Sequence, residues 1–150
     1  MAVDPYDEPE IEGEDVIIRR VNPNQHVYLN ENTGKLRIST KLFSPSNAPK
    51  GGMSVDILKL IEDAGLDAHE FVTTPVFTGS VCFKANDART VGLVIGYDPI
   101  QNVPNVEDNP YHGEVWRTDG NPNKFTRTQQ KALIEASEWF VELPSVEIKL

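Results

Sequence analysis

The chain has 150 residues, 39% hydrophobic and 25% charged, with a net charge of −9 at neutral pH. That is ordinary for one domain able to bury a core without staples. A single cysteine, Cys82, excludes an internal disulfide and, with only three histidines, argues against a structural zinc site. No run approaches the roughly 18 apolar residues of a membrane span. The opening residues lack the basic-then-apolar pattern of a leader, so a cytoplasmic protein is expected.

Charge is unevenly spread. Asp4, Asp7, Glu8, Glu10, Glu12, Glu14 and Asp15 are seven of the 23 acids, and no base stands among them. Residues 1–15, rich in Pro and acid, are predicted to be a disordered acidic tail. Residues 16–150 are predicted to form one α+β domain, nearly neutral with 16 acids against 14 bases. The linear sequence holds no basic cluster; Arg19 and Arg20, adjacent on a strand, face opposite sides. Neither nucleic acid nor membrane is expected as a partner.

Val16-Ile17-Ile18 suits a buried strand, and Val21-Asn22-Pro23-Asn24 a turn. His26 to Leu29 reads as a second strand. Leu36, Ile38 and Thr40 alternate with Arg37, Ser39 and Lys41, the pattern of a half-buried strand. Residues 44–52 read as a loop. Ser54 as N-cap, Asp56 in a first turn and an apolar stripe predict a helix over about 54–64, with Gly65 ending it. Val81 to Lys84 alternates as a strand. Thr90 to Tyr97, the most hydrophobic stretch, predicts a central strand, and Gly113 to Trp116 an edge strand. Thr126 and Gln129 form a capping box that opens a helix predicted over 127–143. The fold class is therefore α+β, a mainly antiparallel sheet of about five or six strands with two principal helices.

The signatures of phosphate-binding loops, dinucleotide folds and serine-hydrolase elbows are absent. His112-Gly113-Glu114 matches half of a zinc-deaminase motif, but the Pro-Cys-x-x-Cys half is missing. No metal and no cofactor are expected. Cys82 reads as an inert thiol between Val81 and Phe83. Trp139 and Phe140 read as helical core residues, and His26 and His69 as solvated. The candidate ligand-binding residues are Arg37, Ser39, Ser54 and His112. Arg37 and Ser39 share a strand face, Ser54 marks a predicted helix start, and His112 opens a strand after a long Pro/Asn loop. If these groups converge, they make an anion pocket.

The same landmarks resemble a family of small bacterial proteins with no assigned activity. Its pattern is Arg-Arg-Ile/Val, then Gly-x-x-Arg-x-Ser-x-x-x-Phe, Met/Leu-Ser-Val-Asp, Asp-Pro, Pro-x-His-x-x-Val and a closing helix with Trp. Here these read Arg19-Arg20-Val21, Gly34 to Phe43, Met53-Ser54-Val55-Asp56, Asp98-Pro99, Pro110 to Val115, and Trp139. The resemblance covers about residues 17–142. Thr40-Lys41-Leu42 departs from it, as does the longer Asn-rich loop before Pro110. It implies a bacterial cytoplasmic protein.

Two functions compete. The first is a non-enzymatic interaction module, an accessory subunit with a protein partner. The alternative is an enzyme or binding protein for a nucleotide or other phosphate-bearing ligand, of ADP-ribosyl-transfer type. There Arg37 would hold phosphate, Ser39 would orient a ribose or amide, and His112 or Glu114 would supply acid–base chemistry.

Overall fold

The computed structural model describes residues 3–46 and 51–149. Its organising element is Val16–Val21 (β1), whose β-branched run pairs along both edges. In chain order there follow Pro23–His26 (α1), Val27–Asn30 (β2), Lys35–Ile38 (β3) and a 3-10 turn at Thr40–Leu42. Then come Met53–Ile57 (β4), Leu58–Asp63 (α2), Ala68–Phe71 (α3), Gly79–Lys84 (β5), Ala85–Arg89 (α4) and Leu93–Tyr97 (β6). His112–Arg117 (β7), Arg127–Ala136 (α5), Glu138–Val141 (β8) and Val146–Glu147 (β9) complete the order.

A six-stranded antiparallel sheet runs β6-β7-β4-β1-β5-β8, and a small sheet runs β2-β3-β9 with β9 parallel to β3. The α+β class and the mainly antiparallel sheet therefore hold. Pairing registers sort the side chains by face. Ile17, Val21, Met53, Val55, Ile57, Val81, Phe83, Ile95 and Val115 point to one face, where α4, α5 and the small sheet bury them with Phe43 and Phe125. On the other face, Ile18 packs against Ile61, Ala68 and Val72 from the α2–α3 segment. Its middle is polar: Arg20, Ser54, Asp56, His112 and Glu114 share that side.

Several expectations are corrected. Ser54 does not cap a helix; it lies in β4, and the helix begins only at Leu58. Ladders to β1 and β7 together outweigh the capping signal, a tertiary override of local propensity. Gly65 does end the helix, at φ +76°, with Leu66 N–H donating to the Ile61 carbonyl. The second helix opens on its Thr126–Gln129 box but stops at Ala136 rather than 143. Ser137 Oγ–H donates to the Leu133 carbonyl at 2.6 Å and Ser137 itself is extended. The chain then pairs with β5 as β8, so Trp139 and Phe140 sit on a strand, Trp139 against the main core and Phe140 against the smaller cluster. The stretch 90–97 supplies β6, an edge strand, while β7 is interior. The loop expected at 44–52 falls partly on 47–50, outside the described residues.

The acidic segment is the largest departure. Residues 3–15 wrap the free edge of β6 instead of extending into solvent. Tyr6 OH accepts from the Tyr97 N–H at 2.8 Å, Asp7 Oδ1 from the Ile95 N–H at 3.2 Å, and Glu8 N–H donates to the Ile95 carbonyl at 2.8 Å. The Tyr6 ring lies over Gly96, where a Cβ would come within 2.5 Å of it, and 5.9 Å from the Trp116 ring. Ile11 is fully buried in the main core. Arg89 meets Asp7 at 3.0 Å, Lys59 meets Asp15 at 2.9 Å and Lys84 meets Glu14 at 2.7 Å. Composition alone hides this, because one apolar anchor and an edge to pair with are enough to order a polar segment. Ile11→Ala should therefore cost about 2–5 kcal/mol and speed proteolysis within residues 3–15. Chemical denaturation with limited digestion checks both, and an unchanged midpoint would refute the anchoring.

Candidate functional site

The four polar residues singled out from sequence divide between two concavities. Ser54 and His112 line a cleft of about 220 Å³ on the polar sheet face, with Arg19, Arg20, Asp56, Asn109 and apolar walls from Phe77 and Ile100. Arg37 and Ser39 line a wider basin of about 830 Å³ between the small sheet and α5. The four residues thus do not converge on one pocket.

In the cleft, Asp56 is the organising charge. Arg20 grips it with Nε at 2.8 Å and a second nitrogen at 3.1 Å, and the Asn109 amide donates to it at 2.8 Å. Arg20 also stands 5.6 Å over the Phe71 ring. Asn109 is placed by its backbone, which exchanges two hydrogen bonds with Ile100 at 2.8 and 2.9 Å. Arg19 turns to the other side as its strand position requires, donating to the Leu42 carbonyl at 2.9 Å and the Ser54 carbonyl at 3.0 Å. Burial lowers its guanidinium to about 10, against the opposing pull of Asp56.

His112 is 6% exposed, and its Nδ1 lies 2.6 Å from the Asp98 carbonyl oxygen. A carbonyl only accepts, so Nδ1 carries the hydrogen and, in the neutral ring, Nε2 presents a lone pair. That buried Nε2 has no partner among the described residues. Burial raises the Asp98 and Glu114 carboxyls, opposed by His112 at Asp98 and by the Gly52 N–H at Glu114. The Cys82 thiol is half-buried and raised by burial, consistent with an inert role.

The basin gathers Arg37, Lys41, Arg127, Lys131 and Lys149 around Ser39, Thr40 and Tyr28, with Glu135 the only carboxylate among its lining residues. Among the described residues no acid lies within ion-pair distance of these five cations. Arg37 donates one weak bond to the Ile148 carbonyl at 3.4 Å, and its buried Nε has no partner among the described residues. Ser39 accepts from the Lys41 N–H and holds the 3-10 turn that presents Lys41. The absence of a basic cluster in the linear sequence is thus corrected by folding. Arg127 and Lys131, four apart on one helix face, were the signal that could have found it; Lys149 and Lys41 carried none.

His26 supports the basin from behind. Expected to be solvated, it is 9% exposed: its Nδ1 accepts from the Asn22 N–H at 2.9 Å and its carbonyl accepts from Ser39 N–H at 2.7 Å. Burial, aided by Arg19, pushes it down to about 4. His69 keeps an exposed side chain, stacked 4.1 Å from the Phe140 ring.

No group of three or more metal-ligating side chains occurs among the described residues, and no helix among them is long and apolar enough to cross a membrane. Compared with known proteins, the chain matches no family model, no curated protein and no solved structure.

Because the folded value of His26 lies below the ordinary one, the stability its neutral ring contributes is complete above about pH 6.5. It is lost as pH falls toward the folded value of about 4. Between about pH 7.5 and 4.5, wild type should lose on the order of 2 kcal/mol more than His26→Gln. Raised carboxyls such as Asp98 act in the opposite sense but cancel in that difference. Urea midpoints of both proteins at both pH values test it, and parallel losses would sink it. Independently, Asp56→Ala should cost about 3 kcal/mol by leaving Arg20 unpaired, read from the same denaturation curves. A cost near zero would show the pair to be incidental.

Proposed function

We propose that the chain is a non-enzymatic interaction module that docks an acidic segment of a partner protein in the Arg37 basin. The observation that carries this reading is the set of five cations, without an ion-pair partner among the described residues, in one concavity of a protein whose net charge is −9. Unpaired cations facing one another repel, so retaining them costs stability that an anionic occupant offsets. The surroundings favour a polypeptide over a free phosphate. Tyr28, exposed by 45%, lines the basin from β2 and pairs with Arg37 on β3, so its ring lies beside the cations. A segment mixing acidic and apolar residues satisfies both kinds of surface. The groups seen in the His112 cleft are compatible with binding and do not require a reaction.

The test is a titration of an alternating Glu/Leu peptide, followed by fluorescence anisotropy, with tripolyphosphate as the competing anion. Peptide affinity should fall about tenfold as salt rises from roughly 0.05 to 0.5 M. Arg37→Gln should weaken binding about tenfold, the equivalent of one charge-assisted hydrogen bond, and Arg127→Glu with Lys131→Glu should abolish it. Tyr28→Ala should weaken the peptide but not tripolyphosphate. If tripolyphosphate binds more tightly than the peptide and ignores the Tyr28 substitution, the basin serves a phosphate-bearing ligand and the partner reading fails. If neither binds, both readings fail.

A further inference from the structure

The cleft around His112 is separate from the basin and is unexplained by docking there. Its Nε2 is buried in a 6%-exposed residue and lacks a partner among the described residues. Leaving such a group unpaired costs about 1–3 kcal/mol, and native interiors satisfy nearly all of them. Ring orientation is not free to repair this. The 2.6 Å contact of Nδ1 with the Asp98 carbonyl, and the interior position of β7 between β6 and β4, hold the imidazole. The cleft therefore presents a fixed acceptor.

Apart from the exposed Ser54 at its rim, its other polar groups are already engaged. Asp56 takes two bonds from Arg20 and one from Asn109. The Asn109 carbonyl oxygen accepts from the Tyr111 N–H at 3.0 Å, and Arg19 is committed to two backbone carbonyls. An occupant consequently needs a hydrogen-bond donor, and no formal charge is demanded of it. Phe77 and Ile100 supply apolar surface around a volume of about 220 Å³. A dry cavity of about 150 Å³ takes a benzene-sized molecule, whereas one water needs only some 10–15 Å³ of probe volume. The space suits one ring with a polar substituent.

We propose that the cleft is a ligand site for a small, uncharged ring-bearing molecule whose N–H or O–H donates to His112 Nε2. The ring lies against Phe77 and Ile100, and the Arg20–Asp56–Asn109 cluster forms a rigid polar floor. The site is independent of the basin, so failure of either leaves the other standing.

Phenol and anisole are the probes, matched in ring size and differing in the donor. Long-range proton–nitrogen NMR at pH 8, where an ordinary histidine is neutral, reads the His112 nitrogens directly. The free protein should show the hydrogen on Nδ1. Phenol at millimolar concentration should shift the Nε2 resonance and perturb Phe77 and Ile100, with anisole at least about tenfold weaker, the value of one hydrogen bond to a buried acceptor. His112→Phe retains a ring and should erase the preference for phenol. Should that variant not fold, Ile100→Trp fills the apolar wall instead and should block phenol while leaving the free-state nitrogen shifts of His112 in place. A free ring protonated on Nε2, equal binding of the two probes, or no response to phenol would each overturn the proposal; the last means that ordered water alone fills the cleft.

Discussion

Much of this structure hangs on one buried carboxylate. Asp56 has a side chain only 4% exposed, and its charge is sustained by two bonds from Arg20 and one from Asn109. A charge that deep is tolerable only when paired and hydrogen-bonded. Satisfying it ties β1 to β4 and brings the Asn109 loop over the sheet. The neighbouring register then sets Asp56 opposite His112 on β7. The pair also explains the polar stripe on an otherwise apolar sheet: once Arg20 and Asp56 occupy its middle, apolar packing is confined to the α2–α3 end and to the Tyr6–Trp116 contact beyond.

The second constraint is the edge of β6. A long, hydrophobic edge strand offers unpaired backbone groups to any passing chain. Here the acidic segment meets them with a tyrosine hydroxyl, a carboxylate and a backbone amide, then passes to the opposite face and buries Ile11. Three of its acids meet cations of the body, so the charge of this segment is partly neutralised in place. The basin cations have no such partners among the described residues. Acid and base are segregated on the molecule, a distribution that orients an approaching charged partner as well as holding it.

The two concavities differ in chemistry as well as place. The basin is wide, cationic and bordered by the exposed ring of Tyr28, suited to a surface-bound segment that contributes charge. The cleft is small, its Arg20–Asp56 charges are matched, and its buried open group among the described residues is the His112 acceptor. Arg19 and Arg20 are adjacent in sequence yet bond on opposite sides of β1, to the Leu42 carbonyl and to Asp56. The same two-residue repeat places Ser54 on the face of His112, whereas Arg37 belongs to the other sheet.

Local signals in the sequence determined a good deal. The β-branched run Val16–Ile18 formed its strand, Gly65 took the left-handed backbone a helix end requires, and the Thr126–Gln129 box opened α5. The antiparallel α+β class follows from such patterns because each depends on neighbours a few residues away. What the sequence left open were matters of partnership. Residues 53–57 carry a capping pattern yet form a strand, because two ladders outweigh one cap. Residues 138–141 continue a helical stripe yet pair with β5. The acidic segment reads as solvated until an edge and a cavity for Ile11 exist to receive it. Candidate-site legibility split the same way. His112, Arg37 and Ser39 could be picked out as unusual, and Arg127 with Lys131 were visible as a helical pair. Their division between two concavities could not be read, because it depends on which strands neighbour one another. Residue types determine which charges must be paired or left free; only the tertiary structure decided that Asp56 is paired while five cations from four separate segments stand together with no ion-pair partner among the described residues.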